Sequence, residues 1–340
     1  MLTEKEYKEI REELDNCKRP LFFFDDDPDG LCSFLLLYRY AREGKGVVVK
    51  SSPELKPIFL KTVENYGPDK VFIIDKPMVS PEFIDAVKVP IIWIDHHNII
   101  KNSGTKYFNS RKDGFGEPAS CICYRVVKQD LWIAACGAVG DWYLPDFSAE
   151  FSRKYPDLLP AEIKRPEKAL YETKLGELIR ILSFILKGKT SDVLSCIKIL
   201  TRIKTPYELL NEETAQAKFI IKRFKKVKEE YDSLLDEALE HSKADKIIIF
   251  TYSDEKMSFT GDLSNELLYR FPKKIILVAR EKGGEMKSSL RSSGPVSVSE
   301  ILKKALVKIE GYGGGHEHAC GACIKKKDFE KFVENIKKEL

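Results

Sequence analysis

The sequence predicts an α/β protein in two parts, a larger parallel-sheet domain followed by a smaller α/β domain. Three observations carry this. Short apolar runs recur, each ending in an acidic or glycine-containing turn, and helical segments separate them. A long charged helical stretch without Gly or Pro then divides the chain. With 340 residues there is length for two cores.

The elements follow in order. Thr3 to about Asn16 reads as a helix, because Thr3 and Glu6 form a capping box. Leu21–Phe24 is a buried strand ending at Asp25, and the unbroken apolar stretch Leu31 to Tyr40 is a buried helix. Gly46–Lys50, Val71–Ile74 (ending at Asp75) and Ile91–Ile94 (ending at Asp95) are further strands. Trp132–Cys136 is read as a fifth, ending at the turn Gly137–Asp141. Pro145 to Pro166, with Pro156 and Pro160 between, is loop-like. Glu167 to about Leu200 is helical, and Tyr207 to His241 is the long charged helix. Its basic run Lys222–Lys228 adjoins Glu229 and Glu230 and reads as a solvated face. Lys246–Tyr252 and Lys274–Val278 are strands around a helix at Asn265–Arg270. Asp328–Leu340 closes the chain as a helix with Phe329, Phe332 and Ile336 on one face. The expected boundaries are 1–200, a helical linker 201–242, and 243–340.

Composition limits the function. Charged residues make up 32%, yet the net charge is only +4. The chain is therefore no general basic glove for nucleic acid, and an anionic ligand must be held by local charge or by metal. The charge-rich composition with two glutamines, Gln129 and Gln216, fits a thermophile's surface. No apolar run reaches the ~20 residues of a membrane span, and the charged N-terminus has no signal-peptide core. The expectation is a cytoplasmic protein with no membrane partner. The eight cysteines include Cys320-x-x-Cys323, but no second pair at zinc spacing accompanies it. They are expected to be small buried residues.

The acidic residues fall in a pattern. Asp25, Asp26, Asp27 and Asp29 crowd the turn after the first strand, closing with Pro28 and Gly30. Four carboxylates so close repel unless a cation or protons intervene. Asp75 and Asp95-His96-His97 stand at two more strand ends, and Asp141 follows a further apolar run. Carboxyl ends of neighbouring parallel strands open on one crevice. Oxygen and nitrogen donors of this kind suit Mn²⁺ or a similar divalent ion. Two such ions about 4 Å apart activate water and clamp a phosphoryl group.

Asp25-x-Asp27-x-Asp29-Gly30, Asp75, Asp95-His96-His97 and Gly137-x-x-x-Asp141 resemble the four successive motifs of the DHH phosphoesterases. Gly313-Gly314-Gly315-His316, with Ala319 and Gly321, resembles the glycine-rich signature of the DHH-associated domain, and Ser289-Leu290-Arg291-Ser292 its phosphate-contacting strand. The resemblance implies a parallel-sheet DHH domain joined by a helical linker to a smaller α/β associated domain, with the active-site cleft between them. It assigns Asp25, Asp27 and Asp75 to one metal ion, and Asp29, Asp75, His96 and Asp141 to a second, Asp75 bridging. The ions would be Mn²⁺ ahead of Mg²⁺ or Co²⁺, and water activated between them would attack phosphorus. His97 would contact the phosphate, and Asp95 would orient the His pair. Arg291, Ser292, Gly314, Gly315 and His316 would hold substrate. Gly313–Gly315 lets a backbone approach a phosphate closely.

Two departures stand out. Asp25 occupies a place where many members carry His, as in RecJ-like nucleases, and Asp75 is followed by Lys76-Pro77. The leading expectation is a RecJ-like exonuclease on single-stranded DNA or RNA. The archaeal type that associates with the Hef repair protein lends a lean to 3′→5′ polarity, and a repair or replication partner or self-association is compatible with it. Alternatives are a phosphodiesterase for oligoribonucleotides, cyclic dinucleotides or phosphoadenosine phosphate, and an inactive scaffold in a replication or repair complex.

Overall fold

Pro20–Asp25 (β1) is apolar on both faces, so it belongs in the middle of a covered sheet. It pairs in parallel with Lys45–Val49 (β2) on one side and Lys70–Ile74 (β3) on the other. Ile91–Asp95 (β4) and Lys106–Asn109 (β5) extend the sheet, again in parallel, in the order β2-β1-β3-β4-β5. The register sets Phe24 level with Ile74 and Ile74 level with Ile94. The next residue along each strand is an aspartate, so Asp25, Asp75 and Asp95 share one edge. That edge lies where the chain order reverses between β1 and β3, the place at which open α/β sheets bind ligands.

The computed structural model describes residues 1–50, 53–111, 116–240 and 246–340. It divides into two compact units, Met1–Lys222 and Arg223–Leu340. In the first unit, Leu21, Phe23, Val71, Ile73, Ile91 and Trp93 face a core completed by Leu55 and Phe83. The opposite sheet face stacks Phe24 on Phe34 of helix α2 (Pro28–Ala41), with ring centroids 4.5 Å apart. The first helix, α1 (Glu4–Asp15), has the expected capping box at Thr3 and Glu6.

Trp132–Cys136 is not a strand. It lies inside helix α4 (Leu131–Gly140), which packs against α2 and α3 (Ala119–Val127). A short run buried on every side carries no period, so the pattern cannot separate strand from helix. A Cβ on Gly137 would lie 2.5 Å from Ser120 Oγ and 2.9 Å from Cys32 Cβ, so only glycine lets the three helices approach this closely. The fifth strand of the sheet is β5, which the apolar pattern does not single out. Pro145–Pro166 also contains a short helix, Ser148–Lys154. The long charged stretch is two helices, Pro206–Leu210 and α5 (Ala215–Glu240), separated by a turn in which Glu212 has φ +52°. The expected end of that stretch at His241 lies outside the described residues.

The second unit is a mixed five-stranded sheet: β6 (Ile247–Tyr252), β7 (Ile275–Lys282), β8 (Glu285–Arg291), β9 (Gly311–His316) and β10 (Ala319–Lys325), in the order β9-β10-β8-β7-β6. Within it, only β6 and β7 pair in parallel. Helix α6 (Thr260–Arg270) packs on β7 and β8. Val298–Ala305 (α7) and Phe329–Lys338 (α8) bury Val298, Leu302, Phe332 and Ile336 in the core with Leu277 and Leu290. The eight cysteines are free, and all but Cys17 are buried. Cys320 and Cys323 sit three apart on β10, so they point to opposite faces. Among the described residues no helix is long and apolar enough to cross a membrane.

Overpacking at the α2/α3/α4 contact should be costly. Gly137→Val is expected to destabilise the fold by about 1–3 kcal/mol in urea denaturation. Gly261→Ala, on a helix with no neighbour within 4 Å, should be neutral or slightly stabilising.

Candidate metal centre

The turn after β1 places three carboxylates, two of them on helix N-termini. Asp27 is the N-cap of α2, its side chain accepting from Gly30 N at 2.9 Å. Gly30 is required here, since a Cβ would lie 2.7 Å from the backbone N and O of Asp25. Asp29, in the first turn, is 1% exposed and accepts from Ala119 N at 2.8 Å and Ser120 N at 2.9 Å. It thus sits on the positive end of α3 as well as α2. Asp25 Oδ1 accepts from Asp26 N and from Lys76 Nζ, both at 2.9 Å.

Asp75 stands in the left-handed region, φ +56°, a costly conformation for a residue other than glycine and one that collects at functional sites. Its carboxylate is 1% exposed, and Oδ1 has no hydrogen-bond partner although His96 Nε2 lies 3.2 Å away. Such an orphaned buried acceptor is expensive unless something charged meets it. His96 Nε2 also lies 3.7 Å from Asp141 Oδ2 and 3.9 Å from Asp29 Oδ2. Asp141 caps the C-terminus of α4, where the helix dipole disfavours a carboxylate. Among the described residues two donor sets could each hold an ion: Asp29, His96 and Asp141, and Asp75, His96 and His97. Oxygen and imidazole donors at these separations fit a divalent ion of the Mn²⁺ or Mg²⁺ type.

The electrostatics point the same way. Burial, followed by the neighbouring carboxylates, holds Asp75 well above the usual carboxylate range and raises Asp27. Asp25 is pushed up to about 7 by burial and by Asp27 and Asp26, against the pull of Lys76. Asp141 rises to about 7 through burial and through Asp29 and Asp27, with His96 opposing. Its side chain is 38% exposed, so solvent screens part of that repulsion. For His96, burial works against the charged ring, but Asp141, Asp29, Asp95 and Asp27 outweigh it and raise its affinity for a proton.

Asp95 has a different environment. It is fully buried, and its Oδ1 accepts from His97 Nδ1 at 2.7 Å. Its Oδ2 accepts from Tyr107 Oη at 3.2 Å and Asn109 Nδ2 at 3.3 Å. The fold therefore brings Asp25, Asp27, Asp29, Asp75, His96, His97 and Asp141 together, with Asp95 behind them holding the His97 ring. The sequence reading missed Tyr107 and Asn109, which come from the unrecognised β5, and the two α3 amides on Asp29. It noted Lys76 without giving it a role.

In the second unit the expected substrate residues are not alike. Gly313–Gly315 are part of the edge strand β9, exposed along with His316. Arg291 instead donates to Asn265 Oδ1 at 2.6 Å, and to the carbonyls of Leu290 and Cys320 at 2.9 and 3.3 Å. Ser292 is 2% exposed and donates to the Val296 carbonyl. As placed, the Arg291 fork and the Ser292 hydroxyl brace the end of β8, leaving β9 as the open face.

Comparison with known proteins agrees with this architecture. Residues 21–145 match the family model described as DHH family, N-terminal domain, and residues 244–340 match the DHHA1 domain. Among solved structures, RecJ in complex with Mn²⁺ from Thermus thermophilus superposes with a TM-score of 0.72 at 14% identity, over 98% of this chain. The chain spans only 53% of that RecJ's length. CDC45 from Entamoeba histolytica gives a TM-score of 0.51 at 13% identity, over 98% of each chain. The pGpG-specific phosphodiesterase PggH from Vibrio gives 0.50 at 13%, over 94% of this chain and 98% of that one. At these identities the likeness is one of fold. No curated protein matches the sequence.

The raised carboxylates set a pH dependence opposite to ordinary acid denaturation. Between their usual range and about 7, the folded state binds more protons than the unfolded chain, so these groups stabilise less as pH rises. The raised His96 acts in the same direction. Metal-stripped protein should accordingly show a thermal midpoint that falls as pH rises from about 5 to 7. Mn²⁺ should restore the midpoint most at pH 8, because it replaces those protons. A midpoint that climbs with pH in chelator would contradict this electrostatic account.

Proposed function

The chain belongs to the DHH superfamily, and we propose that it is a divalent-metal-dependent phosphodiesterase, a RecJ-like exonuclease acting on single-stranded DNA or RNA. The observation that carries this reading is the convergence of Asp29, Asp75, His96 and Asp141 on one point, with Asp75 Oδ1 buried and unsatisfied there. Asp25 and Asp27 border that point. A bound Mn²⁺, Mg²⁺ or Co²⁺ supplies activated water and a charge to set against the phosphoryl oxygens.

The chain's own residues do the rest. Asp95 fixes the His97 ring through Nδ1, so Nε2 is the nitrogen that contacts the phosphate and stabilises its developing charge. Asp95 acts through His97 and is a positioning residue, itself held by Tyr107 and Asn109. The exposed β9 edge, with Gly314, Gly315 and His316, offers backbone amides to a phosphodiester. Arg291 and Ser292 contribute by holding the neighbouring strand end.

A second reading has an observation in its favour. The pGpG-specific phosphodiesterase shares the fold over 98% of its own length and 94% of this chain. A small substrate such as a dinucleotide is therefore the alternative, and dinucleotide hydrolysis faster than that of a long labelled strand would select it.

Labelled single-stranded RNA and DNA should be trimmed in Mn²⁺, and the label that disappears first gives the polarity. His96→Ala should lower the rate by ~100-fold or more, since it removes a donor common to both candidate sets. Asp95→Asn should cost about 10–100-fold while Mn²⁺ binding is retained. A wild-type chain that hydrolyses neither strands nor dinucleotides would leave a scaffold role as the better account.

A further inference from the structure

Lys76 brings a buried cation of the chain's own to this carboxylate edge. Its side chain is 0% exposed, and Nζ lies 2.9 Å from Asp25 Oδ1. The left-handed turn at Asp75 redirects the chain at the end of β3, and the Lys76 carbonyl accepts from Trp93 Nε1 at 2.9 Å. Pro77 follows, stiffening the backbone on the other side. The ammonium is thus presented from a fixed main chain to the end of the neighbouring strand.

We propose that Lys76 stands in for one metal ion: the centre holds a single divalent ion on Asp29, Asp75, His96 and Asp141, and the Lys76 ammonium supplies the other positive charge, on Asp25. This rests on the metal-centre reading above and narrows it. Three observations carry the inference. The two donor sets among the described residues share His96, and neither includes Asp25 or Asp27. Asp25 Oδ1 already carries two donors, Lys76 Nζ and Asp26 N, while Asp27 Oδ1 carries the Gly30 amide that starts α2. The unsatisfied acceptor, Asp75 Oδ1, lies 3.2 Å from His96 Nε2, the nitrogen that the other candidate set shares.

The physical reason is that a buried ammonium and a second dication compete for the same carboxylate. Drawing Asp25 Oδ1 onto an ion would weaken the ion pair of a fully buried lysine, and breaking such a pair is destabilising. The dication would also stand beside a like charge where solvent screening is weak. Lysine is suited to the place, being a compact point charge on a stem long enough to cross from one strand end to the next.

The test is the stoichiometry of Mn²⁺ on the full chain, by titration calorimetry and by electron paramagnetic resonance. Wild type should bind one Mn²⁺ per chain with the spectrum of an isolated ion. Lys76→Gln and Lys76→Met should each admit a second Mn²⁺, at least ~10-fold tighter than any second binding to wild type, with exchange coupling between the ions. Two coupled ions in wild type, or variants that still bind only one, would overturn the proposal and leave the metal-centre reading standing. No Mn²⁺ bound by wild type would overturn that reading itself. Anomalous diffraction from Mn²⁺-soaked wild-type crystals decides the matter even if neither variant folds. One peak at Asp29, Asp75, His96 and Asp141, with Lys76 still on Asp25, supports the proposal; a second peak on Asp25 refutes it.

Discussion

Five carboxylates, those of Asp25, Asp27, Asp29, Asp75 and Asp141, are gathered at one end of a parallel sheet whose flanks are closed by aromatic and aliphatic packing. Their mutual repulsion in a poorly solvated place is the constraint to which the surrounding structure answers. Carboxylates left unpaired there must either take protons or meet a cation. Burial beside like charges pushes Asp25 up to about 7 even with Lys76 against it, and Asp141 to about 7 with His96 opposing.

Each neighbouring element relieves part of that repulsion in a different way. The start of α2 caps Asp27, and the start of α3 gives Asp29 two amides, so two of the five charges rest on helix N-termini. Lys76 neutralises Asp25 directly. Among the described residues Asp75 and Asp141 have no comparable partner: one holds an orphaned oxygen and the other sits at the negative end of α4. These two, with His96 between them, are where an ion has the most to gain. Gly30 and Gly137 make the arrangement possible by letting α2 approach β1, and α4 approach α2 and α3, at distances that exclude a Cβ.

The second unit works by a different logic. Its core is an ordinary apolar one, and one edge is a strand of glycines whose backbone is exposed. An edge strand normally invites pairing with another chain. Here a short edge of four glycines in six residues offers amide groups rather than side chains, which suits a ligand with phosphate oxygens. Arg291, the side chain that looked most like a phosphate grip, is engaged by Asn265 and two carbonyls.

Strand ends, the order of the acidic motifs and the two-part architecture were legible in the sequence, because they depend on local patterns: apolar runs of strand length, capping at Thr3, glycine beside a crowded turn. The placement of Asp25, Asp75 and Asp95 on one edge followed from their positions one residue past such runs. What was not legible depended on neighbours distant in the chain. Trp132–Cys136 is helix, packed through Gly137 against Cys32 and Ser120, a contact no period announces. β5 was missed because its four residues are a strand only beside β4. The Lys76–Asp25 pair joins residues 51 apart, and it exists only because the sheet order sets β1 next to β3 and Asp75 turns the chain left-handed. Sequence by itself determined that Asp25, Asp75 and Asp95 with its two histidines reach the edge, since each of the three aspartates closes its own strand run. Tertiary structure alone decided which of them are already partnered, since every partner comes from another element.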